Sequence, residues 1–297
     1  LNMNNTSENQ SFAAVPDGHT SGFVSLVGRP NVGKSTLLNA FFEKKITIVS
    51  DKPQTTRTEI RGVLTAPEFQ IVFCDTPGIH KPRTLLGTRL NDTARFTLQE
   101  IDLVLFLIEA DSVIGKGDKF IAKSLPAEKT VLVLNKIDKV KSNRILTQLN
   151  KASEFSFTEY FPISASTGEG VSKLLEHVKT KLPTGPRYFP EGMETDFSES
   201  FWVAELVREQ LLAEVREELP HSIATRVTDW DWPHIRCEIL VERNSQKGIV
   251  IGHKGEVLKK VGTEVRKQLE DGAFIELVVK VEKDWQKRPR SLDRFGY

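Results

Sequence analysis

The sequence predicts two domains: an α/β domain with a mostly parallel sheet covered by helices on both faces, then a smaller α+β domain. Three observations support this prediction. The chain has 297 residues, enough for two cores. Short apolar runs alternate with amphipathic stretches in its first part. The Pro/Gly-rich segment PTGPRYFPEG then interrupts the pattern. The predicted parts are a tail at 1–20, an α/β domain at 21–183, a linker at 184–198 and an α+β domain at 199–297.

Five apolar runs in the first part read as buried strands with helical patterns between most of them, which indicates a parallel sheet. They are GFVSLVG (22–28), FQIVFCDT (69–76), DLVLFLIEA (102–110), TVLVLNK (130–136) and EYFPISA (159–165). The stretch RGVLTAPEFQIVF resembles a hairpin, which would add one antiparallel edge strand.

The composition is that of an ordinary globular protein, with 39% hydrophobic and 27% charged residues. No apolar run reaches the length that spans a bilayer. The first twenty residues contain no Lys or Arg and no apolar core, so we expect a loose tail rather than a signal or transit peptide. Cys74 and Cys237 lie in apolar runs without metal-ligand spacing, which favours core packing in a reducing compartment and a cytoplasmic location.

Charge is unevenly distributed along the chain. The balance of basic over acidic residues is +4 for residues 1–184, −8 for 185–242 and +5 for 243–297. A basic C-terminal segment behind an acidic one could bind a polyanion at one end of a domain and repel it at the other. An unevenly charged solvated surface explains the counts equally well.

The segment GRPNVGKS at 28–35 fits the pattern GxxxxGK[ST], with a strand before it and a helix after it. Its glycines let the backbone N–H groups face a phosphate, and Lys34 would reach the β- and γ-phosphates. The Ser35 hydroxyl would ligate Mg²⁺. The segment predicts a nucleoside triphosphate site.

Three further segments follow in the order that a GTPase requires, each at the carboxyl end of a predicted strand. In DTPG (75–78), Asp75 would hold Mg²⁺ and the Gly78 N–H would bond the γ-phosphate. In NKID (135–138), Asp138 would accept two hydrogen bonds that guanine donates and adenine cannot. In SAST (164–167), the Ala165 N–H would bond the guanine O6. The predicted nucleotide-binding residues are Gly28, Arg29, Pro30, Asn31, Val32, Gly33, Lys34, Ser35, Thr36, Asp75, Thr76, Pro77, Gly78, Asn135, Lys136, Asp138, Ser164, Ala165 and Ser166.

The polar segment DKPQTTRTEIRG (51–62) could close a threonine over Mg²⁺ and relax after hydrolysis. Thr56 is the predicted third Mg²⁺ ligand beside Ser35 and Asp75, and Thr55 is its rival. Ile79 stands where Ras-like GTPases place a water-orienting glutamine, so unassisted turnover should be slow. His80 could substitute for that glutamine or be an ordinary surface residue.

The second part reads as helix, two strands, helix, the glycine pair of GIVIGHKG, helix and strand. Its helices are predicted at 198–220 and 256–270, and its last strand at 273–283. This order is that of a type II KH domain, in which a GxxG loop joins two helices and clamps unpaired nucleotides. Trp230, Trp232 and Trp285 could stack on bases, but we favour core positions for them.

The motifs GRPNVGKSTLLNA, QTTR, DTPG, NKID, SAST and ILVERNSQKGIVIGHKG together resemble those of the Era family of bacterial ribosome-assembly GTPases, from about Gly22 to the C-terminus. The resemblance implies a P-loop GTPase domain followed by a type II KH domain, GTP/GDP and Mg²⁺ as cofactors, and K⁺ held with the help of Asn31. It also implies binding of the 3′ region of 16S rRNA, maturation of the 30S subunit and peripheral contact with the inner membrane. A hydrophobic residue at Ile79 is usual in this family. We expect a monomer.

The predicted catalytic group consists of Asn31, Lys34, Thr56 and Gly78. Within the GxxG loop, Lys254 suits phosphate contact, and His253 could stack or add charge when protonated. Nearby lysines would extend the basic surface or simply be solvated. The predicted RNA-binding residues are Lys247, Ile251, Gly252, His253, Lys254, Gly255, Lys259 and Lys260.

Two rival functions remain open at this stage. In one, the protein is an RNA-binding adaptor in which GTP is structural and hardly turned over. In the other, it is a membrane-associated or stress-signalling GTPase whose KH-like domain binds protein.

Overall fold

The computed structural model describes residues 15–52, 55–77, 84–97, 101–215 and 219–297, with the main chain only at 93–97. Its first domain contains a six-stranded sheet in the order β2-β3-β1-β4-β5-β6. The strands are β1 (Thr20–Gly28), β2 (Ile60–Ala66), β3 (Phe69–Asp75), β4 (Leu103–Glu109), β5 (Thr130–Asn135) and β6 (Glu159–Pro162). Only the β2–β3 pair is antiparallel among these strands, which confirms the predicted hairpin and edge strand.

Helices cover both faces of this sheet, as predicted. They are α1 (Lys34–Phe42), α2 (Leu85–Thr97), α3 (Lys116–Ala122), α4 (Ser142–Ala152) and α5 (Val171–Lys181). Leu37 of α1 and Leu174 of α5 join one buried cluster, while Ile121 of α3 and Ala152 of α4 join another. Two buried faces explain why β5 is apolar along nearly its whole length.

The strand predicted at 159–165 is shorter in the structure, because β6 ends at Pro162. The Ile163 N–H still donates to Leu134 O at 2.9 Å, but the Ser164 N–H turns back to Glu169 O. The first domain also begins before the predicted boundary at residue 21. His19 is buried, and its Nδ1 lies 2.8 Å from Gly185 O. The predicted tail otherwise lies mostly outside the described residues.

The second domain is built from α6 (Glu199–Glu214), α7 (Leu219–Ser222), β7 (Ala224–Asp231), β8 (His234–Val241), α8 (Asn244–Ile251), α9 (Glu256–Arg266), β9 (Phe274–Val281) and α10 (Pro289–Arg294). Its sheet has the order β7-β8-β9, with β8 and β9 parallel. This is the predicted order of elements, and it confirms the fold class. The helix predicted at 198–220 instead ends at Glu214, and α10 was not predicted.

The three tryptophans differ in burial. Trp285 is completely buried, whereas Trp230 is 37% exposed and Trp232 is 45% exposed. The core interpretation is therefore wrong for Trp230 and Trp232. Both lie where β7 turns into β8, and the last four residues of β7 are exposed.

The two domains are in contact at the first turns of α2. Leu86 and Leu90 pack with Trp285, Leu292 and Phe295 in one buried cluster. The linker follows the first domain: Thr184 pairs with Thr20, and Thr195 pairs with Gly62. The helix that follows DTPG is therefore in direct contact with the C-terminal domain.

Candidate nucleotide site and nucleic-acid interface

The glycine loop between β1 and α1 faces a cavity of about 420 Å³. Gly33 has a φ of +100°, and a Cβ there would lie 2.2 Å from Asn135 Nδ2, so the turn requires glycine. Lys34 is buried, with its Nζ 3.3 Å from Gly28 O and 3.2 Å from Arg29 O. Burial lowers the pKa of Lys34, and the Asp75 carboxylate opposes this shift. The arrangement can bind phosphate oxygens with backbone N–H groups and one ammonium.

The three predicted Mg²⁺ ligands converge on one point beside this loop. Asp75 Oδ2 accepts hydrogen bonds from Ser35 Oγ at 2.8 Å and Thr56 Oγ1 at 3.0 Å, and the two hydroxyls are 3.1 Å apart. Asp75 Oδ1 is buried without a hydrogen-bond partner among the described residues. Burial raises the pKa of Asp75, against the effects of Lys34 and the two hydroxyls. Hard oxygen donors next to a phosphate loop fit Mg²⁺, which usually takes one or two carboxylates together with waters and substrate phosphates.

The geometry separates the two candidate threonines. Thr55 Oγ1 donates to Lys52 O at 2.7 Å, within its own loop. Thr56 Oγ1 instead reaches Asp75, so the structure brings Thr56 rather than Thr55 to the other predicted Mg²⁺ ligands.

The predicted base-recognition residues also meet at one edge of the sheet. Asp138 is exposed, and its Oδ1 accepts a hydrogen bond from Ser164 Oγ at 2.6 Å. Ser166 Oγ lies 3.1 Å from Ser164 Oγ. Asn135 bridges the two ends of the site, because its Nδ2 donates to Val32 O and its Oδ1 accepts from the Ala165 N–H, both at 2.9 Å. The predicted bond between Ala165 and guanine O6 would have to share or replace this last contact.

The remaining predicted residues lie around these groups. Pro30 and Thr36 line the cavity, as does Lys136. Arg29 forms an ion pair with Asp118, at 2.7 Å, rather than lining the cavity. Thr76 Oγ1 donates to Leu26 O at 3.1 Å, which ties the start of the DTPG segment to β1. Pro77 is the last described residue of that segment, so the predictions for Gly78, Ile79 and His80 lie outside the described residues.

Glu109, at the end of β4, was missed by sequence reasoning. It forms an ion pair with Lys136 and lies 3.8 Å from Arg29, so one carboxylate holds a residue of NKID and one of the phosphate loop. Its position at the carboxyl end of a parallel strand was the available signal.

The GxxG loop joins α8 to α9 as predicted. Gly252 has a φ of +75°, and a Cβ there would lie 2.8 Å from Val257 N. Gly255 has a φ of +82°, and a Cβ there would meet no described atom within 4 Å, so its surroundings are open. His253 and Lys254 are exposed between them. A bare, exposed loop at the head of a helix permits close approach of a nucleic-acid backbone.

The other predicted RNA-binding residues are not equivalent. Lys259 is exposed, whereas Lys247 and Ile251 are half-buried. Lys260 is also exposed, but its Nζ lies 2.7 Å from Glu214 of α6, so part of its charge is already neutralised. Ile249, which sequence reasoning did not select, is 57% exposed on α8 just before the loop.

Comparisons with known proteins agree with both halves of this description. A family model described as a 50S ribosome-binding GTPase matches residues 23–136, and a KH-domain model matches residues 218–286. A crystal structure of Era in complex with MgGDPNP and nucleotides 1506–1542 of 16S ribosomal RNA is 37% identical, with a TM-score of 0.90. Aquifex aeolicus Era, as a point variant bound to GDP·AlF4⁻, is 38% identical with a TM-score of 0.88. Each match covers 94% of this chain and 99% of the other.

Proposed function

Because this chain belongs to the Era family of GTPases, we propose that it is a GTP-driven switch that binds the 3′ region of 16S rRNA and assists maturation of the 30S subunit. The observation that carries the proposal is its 37% identity, over 94% of its length, to Era in complex with MgGDPNP and that RNA. The chain carries both halves that such a complex needs, a guanine-nucleotide site and a KH domain.

The chain is a GTPase with Mg²⁺ as its cofactor. Lys34 and the backbone of its loop bind the phosphates, while Ser35, Thr56 and Asp75 supply the oxygens that hold Mg²⁺ or its water ligands. Mg²⁺ held by these residues would neutralise charge that develops on the phosphate oxygens. Asp138 supplies the selectivity for guanine, since its carboxylate pairs with two base donors that adenine lacks.

The proposed RNA contact is the GxxG loop with the adjoining surface of α8 and α9. Gly252 and Gly255 leave room for the sugar–phosphate backbone, and Lys254 and Lys259 supply positive charge. Exposed Ile249 offers an apolar surface for a base beside the loop. We assign Lys260 a smaller contribution, because Glu214 competes with phosphate for its ammonium group.

The proposed role of Asn31 in holding K⁺ is supported by its neighbour. Asn31 Nδ2 donates to Asp51 O at 2.5 Å, so the phosphate loop and the 51–62 segment meet at this side chain. A rotation of the amide would present Asn31 Oδ1 beside Asp51 O, giving two of the oxygen ligands that a monovalent cation requires. A cation there would add positive charge near the phosphates, which an alkyl side chain such as that of Ile79 cannot do.

The family also implies a cytoplasmic monomer that makes peripheral contact with the inner membrane, and we propose these properties as secondary. No helix in the described part of the chain is long and apolar enough to cross a bilayer. Co-sedimentation of the full chain with vesicles containing anionic lipid tests the peripheral contact, and recovery of all protein in the supernatant would contradict it.

A matched pair of glycine variants tests the RNA assignment. Gly255→Asp places a carboxylate in the loop without a steric clash, and Gly272→Asp makes the same change at a positive-φ glycine beyond the other end of α9. Binding to a single-stranded fragment of the 16S 3′ end is expected to fall at least tenfold for Gly255→Asp alone, with GDP affinity unchanged in both. Equal RNA binding by the two variants would contradict the assignment of the GxxG loop as the RNA contact.

Single-turnover hydrolysis separates the switch from the rival adaptor. We expect KCl or the RNA fragment to accelerate GTP hydrolysis by the wild-type protein. A rate that responds to neither would favour the adaptor, in which GTP has a structural role.

A further inference from the structure

Arg57 lies directly beside Thr56 in the chain, and its side chain points into the second domain. The residue is only 3% exposed. It donates to three main-chain carbonyl oxygens: Ile223 O at 2.5 Å, and Pro220 O and His221 O at 3.1 Å each. These carbonyls belong to α7 and the residue after it, where helix carbonyls lack partners within their own helix. Arg57 thus caps a helix of the KH domain from the nucleotide-binding domain.

A second arginine makes the reciprocal contact. Arg208 of α6 is completely buried and donates through Nη2 to Thr55 O, the carbonyl of the residue just before Thr56. Glu205 fixes its orientation, since Glu205 Oε1 accepts from Arg208 Nε at 2.7 Å and Oε2 accepts from Nη2 at 2.5 Å. The second domain therefore contacts both residues adjacent to Thr56: Arg57 through its side chain and Thr55 through its main-chain carbonyl.

These contacts coexist with the inward position of Thr56, whose hydroxyl lies 3.0 Å from Asp75. A segment clamped at residues 55 and 57 has little freedom to move residue 56, because consecutive Cα atoms are only about 3.8 Å apart. Moving Thr56 away from the Mg²⁺ site would require the backbone of the clamped segment to shift. Docking of the second domain and the inward position of Thr56 are therefore coupled.

We propose that Arg57 is the positioning residue that links the nucleotide state to the placement of the KH domain, acting through Thr56. The inference rests on the proposed GTP-driven switch and names the contact that transmits it. When Thr56 binds Mg²⁺ in the triphosphate state, Arg57 is directed toward the α7 carbonyls. The Mg²⁺-bound triphosphate would then favour docking of the second domain by some factor relative to GDP. By thermodynamic linkage, docking must raise the affinity for the triphosphate relative to GDP by that same factor.

The test measures the affinities of the full-length protein for MgGDPNP and for GDP. Arg57→Ala is expected to weaken MgGDPNP binding at least tenfold while GDP affinity stays within twofold. The reason is that Thr56, in this proposal, binds Mg²⁺ only in the triphosphate complex. Arg57→Lys retains the charge but cannot reach three carbonyls from one fork, so an intermediate loss is expected. Lys45→Ala is the matched control, since Lys45 contacts Glu209 and Gln268 across the same domain boundary but lies outside the 51–62 segment.

The same variants are then measured with the 16S 3′ fragment in each nucleotide state. The ratio of RNA affinities in MgGDPNP and GDP is expected to depart from one in the wild type and in Lys45→Ala, and to return to one in Arg57→Ala. Equal losses for both nucleotides, no loss in Arg57→Ala, or the same loss in Lys45→Ala would overturn the assignment of Arg57. A wild-type protein that binds neither MgGDPNP nor the RNA would instead refute the proposed function itself.

Discussion

Replacing Asp138 by Asn tests base recognition directly. In the structure, the Ser164 hydroxyl bonds Asp138 Oδ1 at 2.6 Å and so orients the carboxylate at the rim of the site. This carboxylate is expected to accept hydrogen bonds from the N1–H and the exocyclic amine of guanine. In Asp138→Asn, the amide oxygen can still accept from N1–H, but the amide nitrogen faces the exocyclic amine, donor against donor.

The expected loss follows from the two bonds. A hydrogen bond to a charged group contributes about 1.5–3 kcal/mol and a neutral one about 0.5–1.5 kcal/mol. Exchanging two hydrogen bonds to the carboxylate for one to the neutral amide costs about 2–5 kcal/mol. This cost corresponds to a loss of GDP affinity of about 30- to 4,000-fold. Because Asp138 lies at the exposed rim, we expect the lower part of this range. Xanthine carries a carbonyl where guanine has the amine, so the variant should bind XDP more tightly than GDP.

Displacement of a fluorescent nucleotide by GDP and by XDP measures both affinities. Asp111→Asn is a suitable control, since it makes the same chemical change at an exposed aspartate just after β4, the neighbour of the strand that precedes Asp138. A GDP affinity within fivefold of the wild-type value, or equal losses for GDP and XDP, would refute the assignment of Asp138.

Three further outcomes are expected. Asn31→Ala should lower single-turnover hydrolysis in KCl to the rate in NaCl with GDP affinity unchanged; a remaining K⁺ stimulation would contradict its proposed role. Burial raises the pKa of Cys74 and raises that of Cys237 to about 12, so both thiols keep their protons when the unfolded chain loses them above about pH 9. Above about pH 9 the free energy of unfolding should therefore fall by about 1.4 kcal/mol per pH unit for each thiol. Urea titrations at several pH values should show a shallower decline for the double variant Cys74→Ala/Cys237→Ala than for the wild type, and equal slopes would contradict this prediction. Trp285→Phe removes the bond from Trp285 Nε1 to Ser222 O at 2.9 Å and should lower the free energy of unfolding by about 1–3 kcal/mol in urea, whereas an unchanged midpoint would show that the bond adds nothing.

The residues proposed to bind phosphate and Mg²⁺ could be selected from the sequence because their chemistry depends on short, contiguous segments at strand ends. Gly33, Lys34 and Ser35 are adjacent, and the parallel sheet brings Asp75 to the same edge. The choice between Thr55 and Thr56 required the structure, since both are hydroxyl residues in one irregular loop. Only the side-chain directions distinguish them.

Features that depend on distant contacts were not predicted. Glu109 was passed over because its role depends on Lys136 and Arg29, which come from two other loops. Trp230 ends a strand pattern and Trp232 follows it, but periodicity does not show that this end of the hairpin is exposed. The partners of Arg57 lie more than 160 residues away, and no local pattern indicates them.

The chemistry of the domain boundary suits a switch better than a permanent interface. Leu86 and Leu90 bury apolar surface, which adheres over a range of orientations because the hydrophobic effect is non-directional. Arg57 and Arg208 behave differently, since removing a guanidinium from water has a large desolvation cost that directional hydrogen bonds must offset. The offset is incomplete here, because Arg57 Nε and Arg208 Nη1 are buried without a hydrogen-bond partner among the described residues. Their carbonyl partners come from the opposite domain, so a shift of one domain against the other would break these bonds. We therefore expect a boundary of this kind to favour discrete docked and undocked placements, through which a small movement at Thr56 could displace the GxxG loop.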